Sequence, residues 1–275
     1  MKWLYSFLIF TITFFSQAQE LFVVSDPASN IPTNTLSLRM ANSFMELVNS
    51  NKYNYNLNPE LTYGLNRNLM LRTTLFTSNR EGSYTFTGAG FYAKYRFFSS
   101  DDLNSHFRLA AFGRYSFNTA SVNQEAIEIM GMNTGFETGI VATKLIHKVA
   151  LSSTVSFEKA FDNGSNVFPD YLGDNAINYT FSVGKLVYPK KYTSFKQTNI
   201  NLMLEFVGQT INENGHSYLD VVPAIQFIIN SQARIDLAYN KQIMSSVNRI
   251  APNGILINFE YNFYNVIKKK RSETD

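Results

Sequence analysis

One stretch of the chain reads Ile255-Leu256-Ile257-Asn258-Phe259-Glu260-Tyr261-Asn262-Phe263, with a large apolar side chain at every second position. In an extended chain, residues two apart point to the same face. The stretch therefore predicts a β-strand with one apolar face and one mainly polar face. The same alternation occurs in Ile177–Val183 and in Ile200–Phe206.

Segments of this kind recur along most of the chain. Each has about 10 to 15 residues, which is long for a strand of a globular protein and sufficient for a tilted strand to cross a bilayer. We predict twelve strands, at 35–46, 53–63, 68–78, 84–98, 105–117, 133–146, 148–161, 175–188, 197–210, 216–228, 232–243 and 253–265.

The connections between these segments alternate in length. Very short connections follow the second, sixth and tenth segments, whereas 118–132, 162–174 and 244–252 are long. Short turns at one end and long loops at the other are typical of outer-membrane barrels. The fold class predicted is all-β, a transmembrane antiparallel up-and-down β-barrel of about twelve strands. An even strand number places both termini and the short turns on one side, expected to be periplasmic.

Composition supports this class. Only 16% of residues are charged, against roughly 25% in soluble domains, while 45% are hydrophobic. A soluble β-sandwich, the alternative with a similar strand number, would have shorter strands and more surface charge. The absence of cysteine excludes disulfides and thiol nucleophiles. None of the three histidines has a serine two residues after it, the spacing used by outer-membrane phospholipases. We therefore predict no enzyme activity, no cofactor and no metal.

The first residues have the features of a targeting segment. Lys2 precedes an apolar run, Trp3–Phe15, that is too short to span a bilayer as a helix. Ser16-Gln17-Ala18 supplies the small residues of a signal-peptidase site. We predict a signal peptide at 1–18.

The remaining chain divides into three parts. Residues 19–34, rich in Pro, Ser and Asn, form either a periplasmic lead-in or a short plug in the lumen. Residues 35–265 form the barrel, and 266–275 form a basic periplasmic tail. Pro59 and Pro223 fall within predicted strands. Since a closed barrel has no free edge, they are expected to mark bulges.

The polar face of the strands is expected to line the lumen. It carries seven basic and seven acidic residues, with most of the basic ones on the third to fifth strands. The predicted lumenal residues are Arg39, Glu60, Arg72, Lys94, Arg96, Arg108, Arg114, Glu137, Glu158, Glu205, Asp220, Arg234, Asp236 and Glu260. These residues have two possible roles. They could brace the lumen through ion pairs, or form opposed basic and acidic walls that orient small polar solutes.

Three short motifs resemble a known family. Pro59–Leu69 combines a strand, a Gly-Leu-Asn-Arg-Asn turn and a second strand, and Asp26–Pro32 and Val183–Leu186 are further points of similarity. They resemble the transporter-like outer-membrane barrels of the phenol meta-pathway type, in a Bacteroidetes-type branch. The resemblance implies a twelve-stranded barrel that takes up or passes a small molecule, and it implies no catalytic residues.

The function predicted is passage or uptake of a small solute through a narrow charged lumen in the outer membrane of a Gram-negative cell. The alternative is a non-conducting barrel with a structural or partner-binding role. The expected partners are outer-membrane lipid, the barrel-insertion machinery and an unidentified small solute, with no nucleic acid. The barrel is expected to be a monomer.

Overall fold

The computed structural model describes residues 22–48, 50–102, 105–190, 194 and 196–267. The predicted signal peptide and residues 268–275 of the predicted tail lie outside this part of the chain. The described residues form twelve antiparallel strands. They are β1 (Thr35–Glu46), β2 (Tyr53–Gly64), β3 (Leu69–Ser78), β4 (Thr85–Asp102), β5 (Ser105–Asn118), β6 (Thr134–Ile146), β7 (Val149–Phe161), β8 (Asn175–Tyr188), β9 (Asn199–Ile211), β10 (Ser217–Ile229), β11 (Ala233–Ser245) and β12 (Asn253–Tyr264).

The strands form one closed ring in chain order. β1 pairs with β2 on one side and with β12 on the other, so that Arg39 lies opposite both Glu60 and Glu260. Closure leaves no unpaired strand edge, and the predicted twelve-stranded up-and-down barrel is confirmed. None of the described residues belongs to a helix with the length and apolar character needed to cross a membrane.

The largest error in the strand bounds is at β4, which extends to Asp102 instead of ending at 98. The β4–β5 register shifts between Arg96 and Phe98, and Phe97 and Phe98 are both exposed. This bulge interrupts the alternation on which the prediction depended, although the strand continues beyond it.

The two ends of the barrel differ. We call the end that holds the start of β1 and the end of β12 the terminal end, and the opposite one the loop end. Two tight turns at the terminal end, one of two residues and one of three, contain residues with positive φ, namely His147 at 54° and Asn230 and Ser231 at 54° and 55°, as short hairpin loops commonly do. The loop end holds the long connections 119–133, 162–174 and 246–252.

The outer face of the barrel is apolar and the inner face is mainly polar. Ile140 in β6 and Val155 in β7 are 56% and 57% exposed, and they are neighbours in the ladder. The inner positions beside them, such as Ser152 and Ser156, are buried. An exposed apolar surface of this kind is stable when it faces lipid.

We expect Ile140→Arg to destabilise the barrel by about 2–4 kcal/mol in lipid, because a cation near the middle of the lipid-facing surface loses its hydration. Urea titration in liposomes measures this change. Tyr171→Arg is the matched control, since Tyr171 is 84% exposed in the 162–174 loop and should cost less than about 0.5 kcal/mol. Equal stability of the two variants would mean that Ile140 does not face lipid.

The bulges expected at Pro59 and Pro223 do not occur. The register is the same on both sides of each proline, but the pairing with one neighbouring strand is interrupted there. The missing pairs are those of 58–59 with β3 and of 222–223 with β11. Proline has no N–H to donate, so the ladder loses hydrogen bonds at these positions while its register is kept.

Candidate functional site

The predicted lumenal residues all lie on the inner face of the barrel strands. Nine of them are buried and five are half-buried. The half-buried ones are Arg39, Arg72, Arg96, Arg114 and Glu260. Of these, Arg96 lies near the terminal end, where its guanidinium donates to the carbonyl oxygen of Arg67 at 2.7 Å.

Many of these charges are paired with a neighbour on the same or the adjacent strand. Arg114 Nη1 lies 2.6 Å from Glu137 Oε2. Arg234 contacts Glu260 at 2.7 Å and Asp236 at 3.2 Å. In these contacts basic and acidic groups lie side by side and are not separated into opposed walls. The contacts are ion pairs between neighbouring positions, as expected if the charges brace the lumen.

Residues 22–29, which we call the crossing segment, enter the interior of the barrel from the terminal end. The carboxylate of Glu205 in β9 accepts hydrogen bonds from the backbone N–H groups of Val23, Val24 and Ser25 at 2.7, 3.1 and 2.8 Å. The Ser25 hydroxyl adds a fourth at 2.8 Å. These four hydrogen bonds to one side chain hold this end of the segment against β9.

The other end of the crossing segment is held by cations of β3 to β5. Arg72 binds the Asp26 carboxylate through two hydrogen bonds of 2.9 and 3.0 Å. Lys94 Nζ donates to the carbonyl oxygen of Pro27 at 2.6 Å, and Arg108 donates to Ser29 Oγ at 2.7 Å. Because β3 and β9 lie on opposite sides of the twelve-stranded ring, the segment passes across the interior.

Apolar contacts fix the same segment at two places. Phe22, 3% exposed, packs in a cluster that includes Met203 and Val222. Ala28 is fully buried in a second cluster that includes Met70 and Phe112. The inner face therefore carries apolar patches at the positions where the crossing segment docks.

A glycine allows the chain to approach the wall closely as it leaves the interior. A Cβ atom at Gly64 would lie 2.2 Å from the carbonyl oxygen of Pro32, which is closer than van der Waals contact permits. Asn34 then donates its N–H to the Gly64 carbonyl at 2.7 Å, and β1 begins at the next residue.

At the loop end, the connection 119–133 folds over the barrel mouth, and we call it the covering loop. Its Ile127 exchanges two hydrogen bonds with the buried side-chain amide of Gln209 in β9, at 2.9 and 2.8 Å. Ile129 is fully buried in a cluster with Ile211 and Tyr218. Gly131 lies beside the ring of Phe76 in β3. The covering loop thus extends from the β9 side of the mouth to the β3 side.

Glu125 connects the covering loop to two neighbouring loops. Its carboxylate accepts from the backbone N–H of Asn248 at 3.0 Å, from the Asn214 amide at 2.6 Å and from His216 Nδ1 at 2.7 Å. Burial raises the pKa of Glu125, but these hydrogen bonds and the histidine outweigh burial and lower it below its ordinary value of 4.5. The ionised carboxylate is the form that holds the loops together.

We expect acidification to loosen the covering loop. A carboxyl whose folded pKa is lowered contributes stability above its ordinary pKa of 4.5, and this contribution is lost as the pH falls through the folded value. The protection factors of residues 120–130, which are exchange rates corrected for the intrinsic effect of pH, should therefore fall below about pH 4.5, while those of the β6 and β7 amides stay unchanged. In Glu125→Gln, the protection factors of the loop should no longer depend on pH in this range; persistence of the pH dependence would assign it to another group.

A small cavity lies between the barrel wall at β3 to β5 and Met130 of the covering loop. Its lining includes Arg72, Phe76, Tyr92, Arg114 and Met130. Its volume of about 10 Å³ is room for about one water molecule. Among the described residues, no three His, Cys, Asp or Glu side chains are placed to hold a metal ion together.

Several residues of the site were not predicted from the sequence. Asp26 and Ser25 belong to a segment without periodicity, and Glu125 and Arg249 belong to loops. Arg249 pairs with the buried Asp220 at 2.7 Å. One feature of the sequence pointed to such residues. Buried carboxylates such as Asp220 and Glu205 require partners, and the strands do not supply all of them, so some partners had to come from loops or from the segment before β1.

Comparison with known proteins gives matches in structure only. No protein-family model and no curated protein sequence matches this chain. An outer-membrane channel from Pseudomonas putida F1 superposes with a TM-score of 0.56 and 14% identity, over 86% of this chain and 98% of that chain. KdgM porin gives a TM-score of 0.49 with 9% identity, over 83% and 99%. OprD from Pseudomonas aeruginosa gives 0.40 with 7% identity, over 86% and 97%.

The first of these matches establishes a fold shared with an outer-membrane barrel channel. At these identities the likeness concerns the fold alone. The narrower resemblance to a phenol meta-pathway branch remains a prediction from short sequence motifs.

Proposed function

We propose that this protein is an outer-membrane channel for small polar solutes, closed at rest by two chain segments. The crossing segment acts as a plug near the terminal end, and the covering loop acts as a lid at the loop end. The observation that carries the proposal is the way the crossing segment is held. Its contacts with Glu205, Arg72, Lys94 and Arg108 are polar contacts with groups of the barrel wall, and a hydrated solute could replace them.

The inner surface supports conduction in preference to a purely structural role. Twelve strands enclose a wider interior than the eight-stranded barrels that side chains fill. Much of the inner surface consists of Ser, Thr, Asn, Gln and charged side chains, which water can solvate once the two segments move. A structural barrel would gain more stability from an apolar core.

The remaining expectations complete the proposal. We place the barrel in the outer membrane as a monomer, with the terminal end in the periplasm and the covering loop outside. The aromatic residues of the last strand, Phe259, Tyr261 and Phe263, are exposed and suit recognition by the barrel-insertion machinery. The proposed role involves no catalytic step.

Planar-bilayer recording of the refolded chain from Gln19 onward tests the function. We expect brief openings of the intact protein and longer ones when residues 19–30 are deleted. A deletion variant that folds as a barrel and yet stays silent would favour the non-conducting alternative, particularly if the covering loop has also been released.

A further inference from the structure

We propose that Arg72, with Tyr92 and Lys94 beside it, forms a carboxylate-binding site of the channel, and that Asp26 occupies it in place of a solute. The ligand class is a small carboxylate anion with an apolar group. This inference rests on the proposed function, because it assigns a substrate class to the same lumen.

The contact between Asp26 and Arg72 has the geometry of carboxylate recognition. Both Nη atoms of Arg72 donate, one to each carboxylate oxygen, at 3.0 and 2.9 Å. Such a two-point contact selects planar carboxylates over spherical anions. Asp26 belongs to the crossing segment and not to the barrel wall, so the site is completed by a group that can leave.

The wall holds Arg72 in position without help from Asp26. Nε of Arg72 donates to Thr62 Oγ1 at 3.1 Å and lies 3.8 Å from a carboxylate oxygen of Glu60. Its guanidinium also lies over the ring of Tyr92, 5.1 Å from the ring centre. Nε of Arg72 therefore bonds to the barrel wall, while both Nη atoms donate to the carboxylate of Asp26 in the crossing segment.

The charge around the site favours an anion once Asp26 has left. Three cations of the wall, Arg72, Lys94 and Arg114, act on Asp26, and Glu60 and Glu137 lie beside Arg72 and Arg114. Burial raises the pKa of the Asp26 carboxyl, but Arg72, Lys94 and Arg114 together hold it well below the ordinary value.

The surroundings of the site determine the shape of the ligand. The lining of the cavity beside Arg72 includes the rings of Phe76 and Tyr92 and the side chain of Met130 from the covering loop. An apolar group attached to the carboxylate can lie against these side chains when the covering loop moves. Benzoate is a suitable probe because it combines a carboxylate with an apolar ring, and benzamide is its uncharged counterpart.

Thermal unfolding in detergent, at constant ionic strength, measures binding without requiring conduction. In Asp26→Asn the competing charge is removed while the side chain keeps its size. We expect benzoate to raise the Tm of Asp26→Asn in a saturable way, and to bind it at least about tenfold more tightly than it binds the wild type. Benzamide and chloride should have no such effect.

Second-site variants test the assignment to Arg72. Asp26→Asn with Arg72→Gln should lose benzoate binding, and Asp26→Asn with Arg72→Lys should retain a weaker affinity, since lysine keeps the charge and lacks the planar fork. The matched control is Asp26→Asn with Arg249→Gln. Arg249 also pairs with a carboxylate and lies over a tyrosine ring, but at the loop end, so benzoate binding should be unchanged.

Two results would overturn the site: equal benzoate binding with and without Arg72, or equal stabilisation by benzoate and chloride. If the Arg72→Gln variant does not fold, the Arg72→Lys variant decides in its place. Benzoate binding to a barrel that never conducts would leave the carboxylate site standing and refute the channel function. Conduction without benzoate binding would refute only the carboxylate site.

Discussion

Deleting residues 19–30 and replacing Glu125 by Ala in the same chain should give a barrel with a much higher open probability than either change alone. The crossing segment and the covering loop lie one after the other along the barrel axis. A solute must pass both. If the two segments move independently, the open probability of the channel is the probability that the crossing segment is displaced multiplied by the probability that the covering loop is open.

The magnitude follows from the contacts that each change removes. Glu125→Ala abolishes three hydrogen bonds of a carboxylate, and a hydrogen bond to a charged group contributes roughly 1.5–3 kcal/mol. Loss of even one such bond raises the open fraction of the loop about tenfold or more. The deletion removes all contacts of the crossing segment, so its effect should be larger.

Planar-bilayer recording at neutral pH measures the open probability of the four proteins. A control variant, Glu81→Ala, removes a carboxylate at the loop end that binds Ser121, outside the Glu125 contacts, and should change the open probability less than Glu125→Ala does. Equal open probability in the double variant and the wild type, with the barrel folded, would show that the two segments are not the obstruction.

The second large effect concerns stability. Arg234→Ala should lower the free energy of unfolding by about 3–5 kcal/mol, because it leaves buried carboxylates without their cation. Arg234 is 6% exposed and bridges Asp236, which is fully buried, and Glu260. Both carboxylates would then remain in the barrel interior beside each other.

Urea titration in liposomes measures the loss. The control is Lys159→Ala, which removes an ion pair with Asp174 in which both side chains are more than a third exposed; exposed pairs contribute about 0–1 kcal/mol. If Arg234→Ala were no more destabilising than Lys159→Ala, the buried charges would not brace the barrel.

The strands could be predicted closely because successive residues of a barrel strand face lipid and lumen in turn, so apolar and polar side chains alternate along the sequence. β1 and β8 begin and end at the predicted residues. The prediction failed where that periodicity is broken, as at the β4 bulge beside Phe97, or where a residue keeps the register while losing hydrogen bonds, as at Pro59 and Pro223.

The interior was predicted only in part. Successive side chains of a strand point to opposite faces, so the sequence indicates the face on which each charge lies. The fourteen predicted positions are on the inner face. The partners of several charges could not be deduced, because Asp26, Ser25 and Arg249 come from segments without periodicity. Their positions depend on the path of the chain in three dimensions. The two alternatives for residues 19–34 were open for the same reason.

The most direct test uses the absence of cysteine from the chain. Ser25 Oγ of the crossing segment lies 2.8 Å from Ser182 Oγ of β8, close enough for a disulfide to form after a small adjustment. Ser25→Cys and Ser182→Cys, combined with Glu125→Ala, give a barrel in which the crossing segment can be locked and released. We expect no openings from the oxidised protein and a return of brief openings after reduction, with Ser25→Cys alone insensitive to reductant. Equal currents before and after reduction, with the disulfide verified by mass, would contradict a crossing segment that closes the channel.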